Sequence, residues 1–182
     1  WTTKRLEETG AAGMNLEDQC FPKRCGHMAG KQLISLGEMV GKIRAAVDAK
    51  RDPDFVINAR TDAAYVCGIE EAIRRGNAYL EAGADMVFVE SPASAEEVKR
   101  AIEQIKGPVS INMLEGGRTP MLTFEELRQL GAARVSCPMF TSLIAAYALQ
   151  KGLSYLMEHG TSSGFEEHMS YGAYKEFTAT PS

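Results

Sequence analysis

Short apolar runs alternate with longer amphipathic segments along this chain. The runs are poorly alternating and flanked by turn residues, and they cover Met14 to Asp18, Phe55 to Thr61, Met86 to Ser91, Val109 to Glu115 and Arg134 to Met139. Runs of this kind are typical of parallel strands buried on both faces. Between them apolar residues recur at three and four positions, which predicts helices over 36–50, 68–83, 94–106 and 123–131.

A glycine–alanine joint precedes three of the predicted strands, in EETGAAGMN, LEAGADMVF and RQLGAARVS. Glycine commonly ends a helix because it accepts the left-handed backbone conformation required there. The joints therefore indicate helices that turn directly into parallel strands. The chain is predicted to be a series of βα units of the α/β class.

Polar residues gather at or just beyond the carboxyl ends of the predicted strands: Glu17 with Asp18, Arg60 with Asp62, Glu90, Asn112 with Glu115, and Ser136 with Cys137. In a (β/α)8 barrel these positions converge on one mouth, where active sites are built. In a doubly wound sheet they would spread along an edge, and no glycine-rich phosphate fingerprint marks a switch point. We therefore expect a TIM-type (β/α)8 barrel, with the doubly wound sheet as the alternative.

About five βα units do not close an eightfold barrel, and the chain opens with Trp1 in what resembles the tail of an amphipathic helix. We expect an N-terminally incomplete barrel. The predicted organisation is a single barrel domain over 1–182 that lacks its N-terminal strands, with a C-terminal helical extension over 141–182. Within that extension, apolar spacing predicts two helices, over 142–160 and 165–177.

Charge and composition narrow the classes of function. The 182 residues carry a formal net charge of −4, and no Lys/Arg tract or basic face favours nucleic acid or anionic membrane. Apolar runs fall short of the ~18 residues that span a bilayer. The four cysteines are too few for a disulfide scaffold of this size. We expect a cytoplasmic protein with free thiols that binds a small molecule and neither nucleic acid nor membrane.

The densest chemistry lies in NLEDQCFPKRCGHMAGK, residues 15–31. Glu17 at a strand end suits a hard cation such as Mg²⁺, held partly through water; a salt bridge to Lys23 or Arg24 explains it equally well. Cys25 stands in a charged, glycine-flanked setting typical of a thiol that acts as acid or base, although burial as a small hydrophobe is the commoner role of a cysteine.

A zinc site built from Cys20, Cys25 and His27 is a weaker alternative because the spacing matches no paired-ligand pattern. Arg60 could aim its guanidinium at a substrate carboxylate, with Asp62 or Glu90 holding it in place. Its alternative is an ion pair at the barrel mouth. Glu90 and Asn112 are likewise either ligands of the site or polar caps on strand ends.

Five stretches of the chain resemble, in order, the isocitrate lyase and phosphoenolpyruvate mutase superfamily. They are GAAGMNLEDQCFPKRCGH, FVINARTDA, GADMVFVES, INMLEGGRTP and a strand ending in CP. The resemblance covers essentially the whole chain. The KRCGH loop resembles the carbon–carbon lyase branch of 2,3-dimethylmalate and 2-methylisocitrate lyases, because the phosphorus–carbon mutases lack its cysteine.

The resemblance implies a role for each matching position. It makes Cys25 the general acid that protonates the departing carbanion and Arg60 the residue that binds the 2-oxo acid product. Substrate contacts are implied for Gly26 and His27, and Glu90 with Asn112 would orient the second product or metal waters.

The resemblance also implies Mg²⁺, with Mn²⁺ as a substitute. Glu17 would belong to the acidic set around that ion, through water. In family members the direct aspartate ligand, in a DADTGYG-like segment, and a serine–glycine loop that grips a carboxylate lie upstream of the position of Trp1.

The implied reaction is retro-aldol cleavage of a 2-hydroxy di- or tricarboxylate to pyruvate or a similar 2-oxo acid plus a carboxylic acid. EGGRTP, residues 115–120, resembles the dimethylmalate lyase, oxaloacetate hydrolase and petal-death-protein group, so a 2-alkylmalate is the first expectation and 2-methylisocitrate the second. Oxaloacetate hydrolysis, a phosphonate-processing enzyme and a non-catalytic barrel fragment stay open. In relatives the last helix packs on a neighbouring subunit, which implies a homotetramer.

Overall fold

The computed structural model of the protein describes residues 1–179. It divides the chain into two compact units, Trp1–Pro138 and Met139–Ser182. The first unit contains a single parallel sheet with helices that follow the strands. Its strands are β1 (Gly13–Glu17), β2 (Val56–Thr61), β3 (Met86–Val89), β4 (Val109–Asn112) and β5 (Arg134–Ser136).

The helices of the first unit include all those predicted between the strands. They are α1 (Thr2–Glu8), α2 (Leu36–Ala49), α3 (Ala63–Val66), α4 (Ile69–Glu81), α5 (Ala95–Gln104) and α6 (Phe124–Leu130). Side chains that precede three of them accept a hydrogen bond from the third helical residue: Ser35, Ser94 and Thr123. Such caps satisfy backbone N–H groups that have no partner inside the helix.

The strands pair in chain order, β1-β2-β3-β4-β5, and every pair is parallel. A doubly wound sheet reverses its strand order at a switch point, whereas a barrel adds each strand beside the previous one. The order confirms the expected TIM-barrel-type architecture: within residues 1–179 the five strands form an arc in which β1 and β5 each have one neighbour.

The core lies between the sheet and its helices. Met39 and Ile43 of α2, Ala72 and Ile73 of α4, and Val98 of α5 pack in one cluster with strand residues of β3 and β4. The three joint glycines, Gly10, Gly83 and Gly131, all have positive φ, as predicted from their position at helix ends.

Two sequence expectations about the strands need correction. The predicted runs continue past the ends of the strands, most clearly at Ser91, whose φ of +58° cannot extend a ladder. Burial on both faces holds for β2, β3 and β4, but β1 and β5 are only partly buried, because each is paired on one side within the described sheet.

The second unit contains α7 (Phe140–His159) and α8 (Tyr171–Thr178). The prediction of a helix from Phe165 is wrong at its start, because residues 165–170 are irregular, with a bend at 167–168, and the Ser170 side chain caps α8 by accepting a hydrogen bond from Ala173 N–H at 3.1 Å. No helix in the described part of the chain is long and apolar enough to cross a membrane.

Candidate active site

Arg60 is the centre of a charged cluster at the carboxyl ends of the strands. Its Nε lies 3.0 Å from Asp62 Oδ2 and its Nη2 lies 3.2 Å from Asp62 Oδ1, so the two side chains form a two-point pair. Nη1 lies 3.0 Å from Glu90 Oε2, and Nε lies 3.3 Å from Glu17 Oε2. Both carboxylates predicted to hold Arg60 therefore do so. This geometry fits a substrate-binding arginine and a mouth ion pair alike.

The electrostatics of the cluster favour the charged forms of Arg60 and Asp62. Burial alone would lower the pKa of Arg60, but the hydrogen bond to Asp62 and the charges of Glu90, Asp62 and Glu17 outweigh it and raise that pKa above its usual value. Burial alone would raise the pKa of Asp62, yet the bond and charge of Arg60, with Lys31, bring that pKa below its usual value. A fixed positive charge therefore faces the mouth at Arg60.

Residues 20–30, here called the lid loop, extend from the end of β1 over this cluster. Gly26 lies so close to the cluster that a Cβ built on it would be 2.4 Å from Glu90 Cγ and 2.6 Å from Arg60 Nη2. Only glycine fits that approach. The loop base is held by Gln19, whose side chain accepts from Arg24 N–H and donates to Arg24 O, both at 2.9 Å.

His27 joins the lid loop to two other strands. Its Nε2 lies 2.9 Å from Glu90 Oε1, and its Nδ1 accepts a hydrogen bond from Arg118 N–H at 2.9 Å. Nε2, although close to Glu90, is buried and makes no aligned hydrogen bond with the described residues. Gly117 leaves room for this contact, since a Cβ there would be 2.8 Å from the imidazole.

Glu90 and Asn112 also meet, as strand-end neighbours on β3 and β4. Asn112 Nδ2 donates to Glu90 Oε2 at 3.3 Å, and its Oδ1 accepts from the Ser136 hydroxyl at the end of β5. A continuous chain of contacts thus crosses the mouth from β2 to β5. These bonds agree with the predicted interpretation of Glu90 and Asn112 as polar caps on strand ends.

Cys25 is exposed, one residue before the buried Gly26. The alternative interpretation of this thiol, burial as a small hydrophobe, therefore does not hold. Cys20 differs, being partly buried and packed against the core. The structure places Cys25 on the loop that covers Arg60.

Sequence reasoning assigned no role to several residues of this region. Asp18, fully buried, accepts hydrogen bonds at Oδ2 from Thr61 Oγ1 (2.8 Å), Arg75 Nη1 (3.0 Å) and Tyr79 Oη (2.7 Å), and at Oδ1 from Asp62 N–H (2.9 Å). This network ties β1, β2 and α4 together directly behind Arg60. A carboxylate at a strand end was the available signal, but its partners are distant in sequence.

The described side chains offer few ligands for a divalent cation. Glu17 ends β1 and is engaged by Lys23 at 3.4 Å as well as by Arg60, so the predicted salt bridge exists. Among residues 1–179 no group of three or more His, Cys, Asp or Glu side chains could hold a metal ion. Mg²⁺ usually takes one or two carboxylates plus water. The described residues therefore do not form a metal site by themselves, although Glu17 could supply one ligand.

Comparison with known proteins gives consistent results. A family model described as phosphoenolpyruvate phosphomutase matches residues 1–157. The chain is 47% identical over 168 residues to the 2,3-dimethylmalate lyase of Eubacterium barkeri, covering 92% of this chain and 58% of that protein. It is 44% identical over 171 residues to a probable 2-methylisocitrate lyase of Corynebacterium glutamicum, covering 93% and 56%.

A solved structure of oxaloacetate acetylhydrolase bound to 3,3-difluorooxalacetate superposes with a TM-score of 0.88 at 34% identity, covering 96% of this chain and 60% of that one. The chain thus spans less than two thirds of the length of each of these proteins.

Proposed function

Because this chain belongs to the phosphoenolpyruvate phosphomutase family, we propose that it forms part of a carbon–carbon lyase. The substrate is a 2-hydroxy di- or tricarboxylate, cleaved to pyruvate or a similar 2-oxo acid plus a carboxylic acid. A 2,3-dimethylmalate-type substrate comes first, supported by the 47% identical relative, and 2-methylisocitrate second. The observation that carries the proposal is an exposed thiol on a loop whose next residue packs against a fixed guanidinium.

Arg60 binds the carboxylate and developing oxyanion of the 2-oxo acid product in this proposal. Its bonds to Asp62 and Glu90 engage three of the five N–H donors of a guanidinium, which leaves two for substrate. Held at several points, the group needs little reorganisation when charge develops next to it. Lysine at this position would keep the charge but lose the two-point pair with Asp62.

Cys25 supplies the proton that the leaving carbanion needs. Cleavage leaves an electron pair on the departing carbon, and transfer of the Sγ–H proton to that carbon yields the carboxylic acid and a thiolate. The thiolate then recovers a proton from solvent, for which the exposed position of Cys25 is suitable. Gly26 and His27, packed on Glu90, exclude water beside Arg60 and contact substrate, and Glu90 with Asn112 orients the far end of the substrate.

Mg²⁺, or Mn²⁺ in its place, is part of this proposal with Glu17 as one ligand through water. The remaining ligands would come from sequence outside this chain. Because the described residues form no complete site, the roles given to Arg60 and Cys25 above are argued without the metal.

The exposed apolar side chains of α7 support a further part of the proposal, assembly as a homotetramer. Leu143, Ile144, Tyr147, Leu153 and Met157 all lie on the surface of the described chain, the last with 85% of its area exposed. Contiguous apolar surface of this kind marks interfaces. Light scattering coupled to gel filtration of the full-length protein should give four subunits; a monomer at micromolar concentration would exclude this assembly.

The reaction is tested with a coupled assay for pyruvate and glyoxylate on 2,3-dimethylmalate, 2-methylisocitrate and isocitrate, and with an assay for oxalate and acetate on oxaloacetate, each with Mg²⁺ or with EDTA. Cleavage of 2,3-dimethylmalate that EDTA abolishes is the expected result. Release of oxalate and acetate from oxaloacetate, with no cleavage of the other three compounds, would instead indicate an oxaloacetate hydrolase, an alternative favoured by the likeness to oxaloacetate acetylhydrolase. If a folded protein converts none of the four compounds, the lyase proposal is refuted, and a phosphonate enzyme or a non-catalytic barrel remains.

A further inference from the structure

We propose that Lys31 is a positioning residue that fixes the lid loop over Arg60 by joining the Gly26 carbonyl to the Asp62 carboxylate. Lys31 follows the lid loop directly, and neither its side chain nor that of Asp62 has exposed area. The catalytic consequence rests on the proposed lyase function, whereas the holding of the loop does not.

The Lys31 ammonium has two hydrogen-bond acceptors and one aromatic neighbour. Nζ donates to Gly26 O and to Asp62 Oδ1, the latter at 3.0 Å, and it lies 4.2 Å from the centre of the Tyr65 ring. A buried ammonium is costly unless its charge is paired and its donors are satisfied. Here the contacts come from the lid loop, the end of β2 and α3, so stabilising the ammonium requires these three segments to be together.

The same carbonyl of Gly26 has a second donor. Ser91 Oγ donates to it at 2.9 Å and lies 3.2 Å from Glu90 Oε1. Ser91 is the one non-glycine residue with positive φ in the described chain, at +58°. Backbone in that region is uncommon for serine and is found mostly where surrounding contacts impose it. The Gly26 carbonyl is therefore held by two side chains, Lys31 and Ser91.

The contacts of Lys31 with Asp62 and Gly26 connect it to the two proposed reacting groups, Arg60 and Cys25. Asp62 connects Lys31 to Arg60 through its two-point pair, and Gly26 is adjacent to Cys25. Gly26 packs within contact distance of Glu90 and Arg60. Loss of the hydrogen bonds to the Gly26 carbonyl therefore lets the lid loop move away from the guanidinium. Loss of the ammonium should therefore displace the thiol and admit water without removing any group that touches substrate.

The test is hydrogen–deuterium exchange followed by mass spectrometry on the full-length protein, comparing wild type with Lys31→Met. The variant keeps the length of the side chain and removes its charge. We expect exchange in peptides covering 20–31 to rise about tenfold or more, as loss of charge-assisted hydrogen bonds implies, with exchange in α5 unchanged. Lys42→Met is the matched control, because Lys42 forms only an exposed pair with Glu38 at 3.5 Å.

Ser91→Ala and Ser91→Gly provide a second arm that decides the question if Lys31→Met does not fold. Both remove the hydroxyl, while glycine also relieves the positive φ. If the carbonyl attachment holds the loop, both variants raise lid-loop exchange. Unchanged lid-loop exchange in a folded Lys31→Met overturns the proposal whatever the serine variants show, and so does a rise that is uniform throughout the protein.

Activity then separates the proposed roles. On whichever substrate wild type cleaves, Lys31→Met should lower kcat about tenfold or more with a smaller change in KM, because closure rather than ground-state binding is impaired. A wild-type protein without lyase activity would refute the proposed function but leave the exchange result to decide the role of Lys31. Full kcat in Lys31→Met despite a loosened loop would show that Lys31 does not position the reacting groups.

Discussion

Gly26 shows how one missing side chain shapes the site. Its neighbours approach so closely that a Cβ would overlap the Glu90 side chain and the Arg60 guanidinium. The loop can therefore cover the guanidinium only with glycine here. At the same time the carbonyl of Gly26 is bonded by Lys31 and Ser91, so the residue is both the closest and the most firmly held point of the lid loop.

We predict that Gly26→Ala blocks closure of the lid loop. The expected loss in kcat/KM is about a hundredfold, the cost typical of a displaced catalytic group. Urea unfolding should change little, because a surface loop can move away from the clash. Gly41→Ala is the matched control, since a Cβ there meets nothing within 4 Å, and full activity with higher stability is expected. Wild-type activity in Gly26→Ala would contradict the packing described.

Asp62 should make the protein sensitive to acid. Its pKa is lowered by Arg60 and Lys31 despite burial, so the folded state binds a proton less readily than the unfolded chain. The stabilisation is complete above the unfolded pKa of about 4 and is lost as pH falls through the lower folded value. Urea midpoints measured from pH 7 to pH 3 should fall, and Asp62→Asn should flatten that slope. Glu125→Gln, at an exposed pair with Arg128, should change the slope much less, because solvent screens an exposed pair.

At the scale of elements, the buried carboxylate of Asp18 joins β1 to β2 and α4. Its four hydrogen-bond donors come from Thr61, Asp62, Arg75 and Tyr79. Burial first, and then the charge of Asp18, raises the pKa of Tyr79 far above its usual value, so the phenol stays a donor at any physiological pH. The backbone that carries Arg60 is thus supported from behind.

Asp18→Asn should destabilise the protein by about 1–3 kcal/mol, because the amide cannot accept all four hydrogen bonds and leaves buried donors unsatisfied, while Glu71 still pairs with Arg75. Guanidinium unfolding at pH 7 measures the change. Asp48→Asn, at an exposed position of α2, should be nearly neutral. Equal midpoints for the two variants would show that the network does not contribute to stability.

Much of the element structure follows from the sequence. The period of apolar residues predicts all five strands and α2, α4, α5 and α6 between them, but not the short α3, and the glycine joints predict where three helices end. The start of α8 was missed because Phe165 to Ser170 carries spacing that a helix would share. The capping serine at 170 was the opposing signal.

The site was only partly predictable, for a physical reason. Strand-end residues such as Arg60 and Glu90 are identified by position, since parallel strands bring their carboxyl ends together. The contacts that seat the lid loop join residues far apart along the chain: Lys31 with Asp62, Ser91 with Gly26, and Arg118 with His27. No local pattern encodes such pairs, because they depend on where the loop packs after folding.

At the scale of the molecule, five sequential parallel strands direct their polar ends to one mouth. The groups there are a partly buried arginine, three carboxylates around it and a covering loop with an exposed thiol. The proposed function assigns to this arrangement cleavage beside a carboxylate with proton delivery from the loop. The account therefore depends most on one group, the thiol of Cys25.

The most direct test is the rate of pyruvate release from 2,3-dimethylmalate by the full-length protein, by Cys25→Ser and by Cys67→Ser. Both cysteines are exposed, so the two variants differ in location and not in the chemistry of the change. The account predicts that Cys25→Ser loses a hundredfold or more, within the range of about 10²–10⁴ for general acid catalysis, while Cys67→Ser keeps wild-type rates. Equal rates in all three proteins would contradict the assignment of Cys25 as the proton donor.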